Sequence, residues 1–115
     1  LMAELPDSGA RTAFDTGAVR DSMKGKGVPS MIPTCAIKAM ARRFEDGASK
    51  YGKDNWKKGI PTSRYCDAAF RHLMACKDGE TDEDHCGAGL WNMACWLETK
   101  RLISTKKLPA ELNDL

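Results

Sequence analysis

The chain has 115 residues, which is room for one small domain. Its 18 Lys and Arg against 16 Asp and Glu leave a net charge of +2, which excludes the strong basic excess of a dedicated nucleic-acid binder. No apolar run approaches the roughly 18 residues of a membrane span, and the first thirty residues lack the apolar stretch of a signal peptide, so a soluble, cytoplasmic protein with no membrane partner is expected. The chain opens on Leu1 rather than Met, read as a trimmed start. A chain this short buries a low fraction of its surface, so a partner subunit is expected to complete the core. The cysteine number is odd (Cys35, Cys66, Cys76, Cys86 and Cys95), and with no secretion signal they are expected to be reduced.

Residues 1–30 hold Pro6, Gly9, Gly17, Gly25, Gly27 and Pro29 with isolated apolar points, so they read as a loop-like arm carrying Arg11, Arg20, Lys24 and Lys26. From Pro33 a helical period begins: Ile37, Met40, Ala41, Phe44, Ala48 and Tyr51 share one face, and Gly52 marks the stop. Lys38, Arg42, Glu45 and Ser49 take the opposite face. A loop from Gly52 to Pro61 follows, with Lys53, Asn55, Trp56, Lys57 and Lys58 at its centre. Thr62 or Ser63 is the expected cap of a second helix, with Tyr65, Ala69, Leu73 and Cys76 inward. Lys77-Asp78-Gly79-Glu80 reads as a tight turn. Thr81 then opens a third helix in a near capping-box arrangement with Asp84. Between Ala88 and Leu97 that helix is apolar almost all round, which places it at the centre of a bundle or at a subunit interface. No strand pattern is visible. The expected fold is therefore all-α, a small bundle with helices at 33–51, 62–77 and 81–104. An arm (1–30), a helical catalytic domain (31–105) and a polar tail (106–115) are the expected divisions.

The segment from Glu80 to His85 packs five ionisable groups into six residues. Acidic groups suit a helix N-terminus, but four together repel one another, and a divalent cation with hard oxygen ligands would relieve that. If helices two and three form an antiparallel hairpin about Gly79, His72 lies near His85 and Asp84, with Asp67 further along, level with Asn92. Glu45 on helix one is a further candidate ligand. A rival arrangement is a zinc site of His72, Cys76, His85 and Cys86. The Trp56 loop offers an aromatic face for a base and lysines for phosphates, or else simply a solvated basic loop anchored by its tryptophan.

The string Phe44-Glu-Asp-Gly-Ala-Ser-Lys-Tyr-Gly-Lys-Asp-Asn-Trp-Lys-Lys-Gly-Ile-Pro61, with Ser63-Arg-Tyr, Asp67, Arg71-His-Leu73, Asp82-Glu-Asp-His85 and Trp91-Asn92, resembles the phage dATP/dGTP diphosphohydrolases (MazZ-like). Thr16-Gly-Ala-Val-Arg-Asp21 and Gly25-Lys-Gly27 resemble their entry segment. That family is similar to the all-α nucleotide pyrophosphatases that include MazG. The resemblance implies Mg²⁺- or Mn²⁺-dependent cleavage of a purine dNTP to dNMP and pyrophosphate, in a homodimer or homotetramer, with dGMP supplied to a 2-aminoadenine pathway. The MazG glutamate spacings are not reproduced here, so ligands are assigned by side-chain chemistry: Glu45, Asp67, Glu83 and Asp84 for metal. Asp67, His72, Asp84 and His85 are the catalytic candidates. Arg20, Lys26, Lys50, Asn55, Trp56, Arg71 and Asn92 are the substrate-binding candidates. A non-catalytic helical module that binds a nucleotide or a partner is the alternative reading of the same residues.

Overall fold

The computed structural model describes residues 7–115 and divides into two compact units that meet in sequence between Ile32 and Pro33. In the first, β1 (Arg11–Ala13) pairs antiparallel with β2 (Val19–Asp21), Arg11 opposite Asp21 and Ala13 opposite Val19. This corrects the expectation of a strandless arm. Each strand has only three residues and almost no burial, so neither hydrophobic alternation nor length betrays it. Asp21 holds the hairpin together. It accepts from the Ser8 backbone N–H (3.2 Å) and hydroxyl and pairs with Lys26 Nζ (3.1 Å), contacts that keep its carboxyl well below the usual carboxylate range.

The second unit is built on α1 (Thr34–Tyr51), α2 (Thr62–Lys77) and α3 (His85–Ser104), with single 3₁₀ turns at Asn55–Lys58 and Ala110–Leu112. Prolines at 33 and 61 set the entries of α1 and α2, and Gly52, at φ 92°, ends α1. α3 packs against both other helices and forms a hairpin with α2. The all-α bundle stands, but α3 begins at His85 rather than Thr81. Its cap is Asp84, whose carboxylate accepts from the Gly87 N–H (3.0 Å). The acidic residues 80–84 therefore lie in the connecting loop, not on the helix.

Two further expectations are corrected. Neither Thr62 nor Ser63 caps α2; both lie inside its first turn, and the capping carboxylate arrives from the far end of the chain. Asp114 accepts from the Ser63 N–H (2.9 Å) and hydroxyl (2.6 Å), while the Thr62 hydroxyl donates to the Leu112 carbonyl (3.2 Å). Nor are all the cysteines reduced: Cys76 and Cys86 form a disulfide, with Cα atoms 5.8 Å apart, and Cys35, Cys66 and Cys95 are free. The short loop returns the chain so that the last turn of α2 faces the first turn of α3, within disulfide reach.

Apart from Tyr65, which is 2 % exposed, the core is made of small residues. Ala88, Asn92, Cys95 and Thr99 follow one another along a single stripe of α3 and are at most 5 % exposed. Asn92 Nδ2 donates to the Ala88 carbonyl and Thr99 Oγ1 to the Cys95 carbonyl, each at 2.8 Å, so neither polar group is left unpaired in the interior. Burial pushes the Cys95 thiol up to about 12. Leu73, expected inward, is instead 63 % exposed, and Leu90, Met93 and Leu97 also face outward. α1 buries no residue completely, and Ile37 and Tyr51 on its apolar face are exposed. The small side chains let the helices approach closely, and the large ones are displaced to faces that one chain does not cover.

Gly87 is one of those close approaches. A Cβ there would collide with the Asp84 carboxylate and press on Ala39 Cβ of α1 at 3.2 Å. Gly to Ala inside a helix ordinarily stabilises by about 1 kcal/mol. Gly87→Ala is expected to reverse that sign, because it displaces the α3 cap (about 1 kcal/mol) and overpacks the α1 contact (about 1–3 kcal/mol). A thermal melt of this variant showing a lower Tm than the parent is the expected result.

Candidate functional site

The α2–α3 hairpin brings His72, on α2, to His85, the first residue of α3, with their Nδ1 atoms 3.0 Å apart. His85 is 9 % exposed and donates its Nε2–H to Asp82 Oδ1 at 2.7 Å. That bond settles the ring: Nε2 carries a proton, Nδ1 turns to His72, and a single proton lies between the two Nδ1 atoms. The Asp82 carboxylate also raises the His85 pKa, whereas burial lowers that of His72 against the opposing pull of the Glu83 carboxylate.

Glu83 completes the cluster. Its carboxylate pairs with Arg43 of α1 at 2.9 Å, and a ligand atom of each of His72, Glu83 and His85 lies within 4.8 Å of the other two. Among the described residues this is the one group of three or more such donors. Two imidazoles and one carboxylate converging on a point form a donor set for a divalent transition ion.

The other candidates are distributed around it. Asp84, two residues from Asp82, is committed to capping α3. Glu45 on α1 and Asp67 on α2 are exposed and stand outside the three-donor group. Arg71 is exposed on α2, and Lys50 is exposed in the last turn of α1, its Nζ 5.2 Å from the centre of the Tyr51 ring. Asn55 and Trp56 are half-buried. Trp56 packs on Phe44 (centroids 5.8 Å apart), which meets Trp91 (5.9 Å), which meets Tyr65 (6.3 Å). Trp56 thus anchors its loop to the core, with Lys57 Nζ 5.6 Å from the ring centre. Asn92 is buried within α3. Arg20 is exposed on β2 and Lys26 pairs with Asp21, both in the first unit.

Sequence reasoning missed Arg43 and the particular role of Asp82. Asp82 carries a local signal, an Asp-x-x-His spacing at a helix entry. Arg43 carries none, because its encounter with Glu83 depends on how α1 packs across α3.

Two concave surfaces adjoin the cluster. One is an open cleft of about 500 Å³ formed by the 79–86 segment and Cys76. The other is an apolar groove of about 600 Å³ between α2 and α3, walled by Phe70, Leu73, Leu90, Met93 and Trp96 and reaching His72 and His85. No helix among the described residues is long and apolar enough to cross a membrane.

Residues 16–107 match the family described as dATP/dGTP diphosphohydrolase, N-terminal. No curated protein and no solved structure matches the chain. The family match spans both units, and within the helical one it contains the His72, Glu83 and His85 cluster together with its partners Arg43 and Asp82. The chain belongs to the dATP/dGTP diphosphohydrolase family and is an enzyme of nucleotide hydrolysis.

Proposed function

We propose that the protein cleaves purine dNTPs, dGTP or dATP, to dNMP and pyrophosphate with a divalent cation held at His72, Glu83 and His85. The observation that carries this reading is the convergence of those three side chains in a chain of this family. The donor set fits such an ion. Two imidazoles favour Mn²⁺ over Mg²⁺, and the exposed carboxylates of Glu45 and Asp67 are the oxygen ligands that would suit Mg²⁺, while that of Asp84 caps α3. When bound, the cation supplies charge neutralisation on the phosphates and an acidified water.

The residues' own contributions follow from their positions. Asp82 fixes the tautomer of His85, and Arg43 holds the Glu83 carboxylate beside the imidazoles. Lys50 and Arg71 are exposed cations suited to the negative charge that gathers on departing pyrophosphate, with Arg20 and Lys26 of the first unit as further candidates. Asn55 is the candidate for reading the base edge. Trp56, whose ring packs on Phe44, supports that loop, and Asn92 belongs to the helix interior rather than to substrate. The setting proposed is dGMP supply for 2-aminoadenine DNA in the cytoplasm of a phage-infected cell.

A panel of dNTPs with Mg²⁺, Mn²⁺ and EDTA, resolved by anion exchange, tests this. Purine dNMP and pyrophosphate are expected with metal and no turnover with EDTA. Orthophosphate as the first product would overturn the reaction type.

We also propose that the exposed apolar groove is covered by a second copy of the chain, giving a dimer or a tetramer. Phe70, Leu73 and Met93, which line it, are each more than half exposed, apolar surface of the kind that marks an interface. Leu73→Glu is expected to convert the oligomer to monomers, measured by light scattering during gel filtration. A wild-type protein that is monomeric at tens of micromolar would refute it.

A further inference from the structure

The disulfide sits beside the histidine pair. His72 and Cys76 lie one turn apart on the same face of α2, and His85 and Cys86 are the first two residues of α3. All four line the same groove, and the bond between the cysteines brings their sulfurs to one point.

We propose that Cys76 and Cys86, when released from their disulfide, join His72 and His85 in a four-coordinate zinc site. The hairpin is then held by a covalent bond in its oxidised state and by a metal in its reduced state. This goes beyond the hydrolytic reading and does not rest on it; because it shares His72 and His85 with the hydrolytic site, zinc bound here and a cation held with Glu83 exclude one another.

The geometry supports the metal on three counts. Zinc at about 2.0–2.1 Å from each of two imidazole nitrogens in a tetrahedron separates them by about 3.3–3.4 Å. The Nδ1 atoms of His72 and His85, at 3.0 Å, need to part by only a few tenths of an ångström. Histidines that ligate metals commonly donate their other ring N–H to a carboxylate, and His85 already does so to Asp82. Two thiolates with two imidazoles are a closed, structural zinc set rather than a magnesium or calcium set.

The redox step balances with a thiol reductant. Two reductant thiols become one disulfide, their two electrons and two protons pass to Cys76 and Cys86, and the Sγ–Sγ bond breaks. Zinc binding then releases those two protons to solvent as the thiolates form.

The full-length protein, reduced with a water-soluble phosphine and desalted under argon, is titrated with Co²⁺ and then Zn²⁺. One equivalent of Co²⁺ is expected to give a thiolate-to-metal charge-transfer band and the intense visible bands of a tetrahedral S₂N₂ site, and Zn²⁺ should erase both. The oxidised protein should give no charge-transfer band. Cys76→Ser and Cys86→Ser should each weaken binding at least about 100-fold, since even the loss of an outer partner costs about 10–100-fold. Cys66→Ser, in the same groove, should leave the spectrum unchanged. Zn²⁺ should also shield Cys76 and Cys86 from alkylation while exposed Cys35 reacts as before, a readout that needs no variant. A reduced protein without the charge-transfer band, a band that persists in Cys76→Ser and Cys86→Ser, or alkylation indifferent to Zn²⁺ would each overturn the proposal. All these readouts are independent of hydrolysis.

Discussion

Glu83→Gln is expected to lower kcat/KM for dGTP with Mn²⁺ by about 10³, leaving the helical signal and Tm close to those of the parent. A bound cation contributes several kcal/mol to phosphoryl chemistry, and losing about 4 kcal/mol is a thousandfold in rate. The amide keeps the shape of the side chain but gives up the charge that lies within 4.8 Å of both imidazoles. Little stability is at stake. Glu83 lies in the loop before α3 and its ion partner is the part-exposed Arg43, a pairing worth about 0–1 kcal/mol. Arg43→Ala is the informative companion, since it removes the pair but keeps the carboxylate, and its loss of activity should stay within about tenfold. Steady-state kinetics with a Mn²⁺ titration by calorimetry decides the matter. A Glu83→Gln enzyme within about threefold of wild type, binding Mn²⁺ as before, would remove Glu83 from the site.

Tyr65→Ala is expected to abolish cooperative folding of the helical unit, whereas Tyr65→Phe should leave Tm unchanged or slightly raised. The ring is 2 % exposed and meets Trp91 edge-on, the start of an aromatic series that runs through Phe44 to Trp56. It thereby ties α2 to α3, α1 and the Asn55–Lys58 turn. Truncating a buried aromatic to Ala costs about 3–5 kcal/mol. At about 0.05–0.15 kcal/mol per residue a unit of this size holds about 4–12 kcal/mol, so that loss removes a large part of what it has. The hydroxyl is another matter. It is buried without a protein hydrogen-bond partner among the described residues, and burial pushes its pKa up to about 12. Removing it relieves a desolvated polar group rather than breaking a bond. Urea and thermal melts followed by circular dichroism distinguish the two variants. A Tyr65→Ala protein with a sharp transition within a few degrees of wild type would show that the aromatic series is not the core.

The helix limits are legible in the sequence because their punctuation is covalent: proline at 33 and 61 fixes an entry, and glycine at 52 takes a backbone conformation that other residues resist. The start of α3 is less so. Thr81 and Asp84 are both good caps, and the choice of Asp84 depends on Gly87 leaving room for its carboxylate beside Ala39. The β-hairpin escapes because three-residue strands without a buried face carry no period. The direction of Leu73 escapes for a different reason: hydrophobicity ranks it inward, but α2 and α3 pack through small residues, and close approach excludes the larger ones. At the candidate site, the Asp82 and His85 spacing is local and readable. The Glu83–Arg43 pair spans forty residues, and the Cys76–Cys86 bond needs the register of two helices, which no local pattern encodes.

The closure of α2 by Asp114 also sets an order of events during synthesis. Ser63 emerges from the ribosome 51 residues before the carboxylate that caps its N–H. Until then the Ser63 N–H lacks the side-chain acceptor it has in the folded unit, so the first turn of α2 stays frayed while the next 51 residues are made. The first turn of α2 is thus closed from a point 51 residues downstream, after α3 has been made, and the helical unit lacks this cap until translation has passed Asp114.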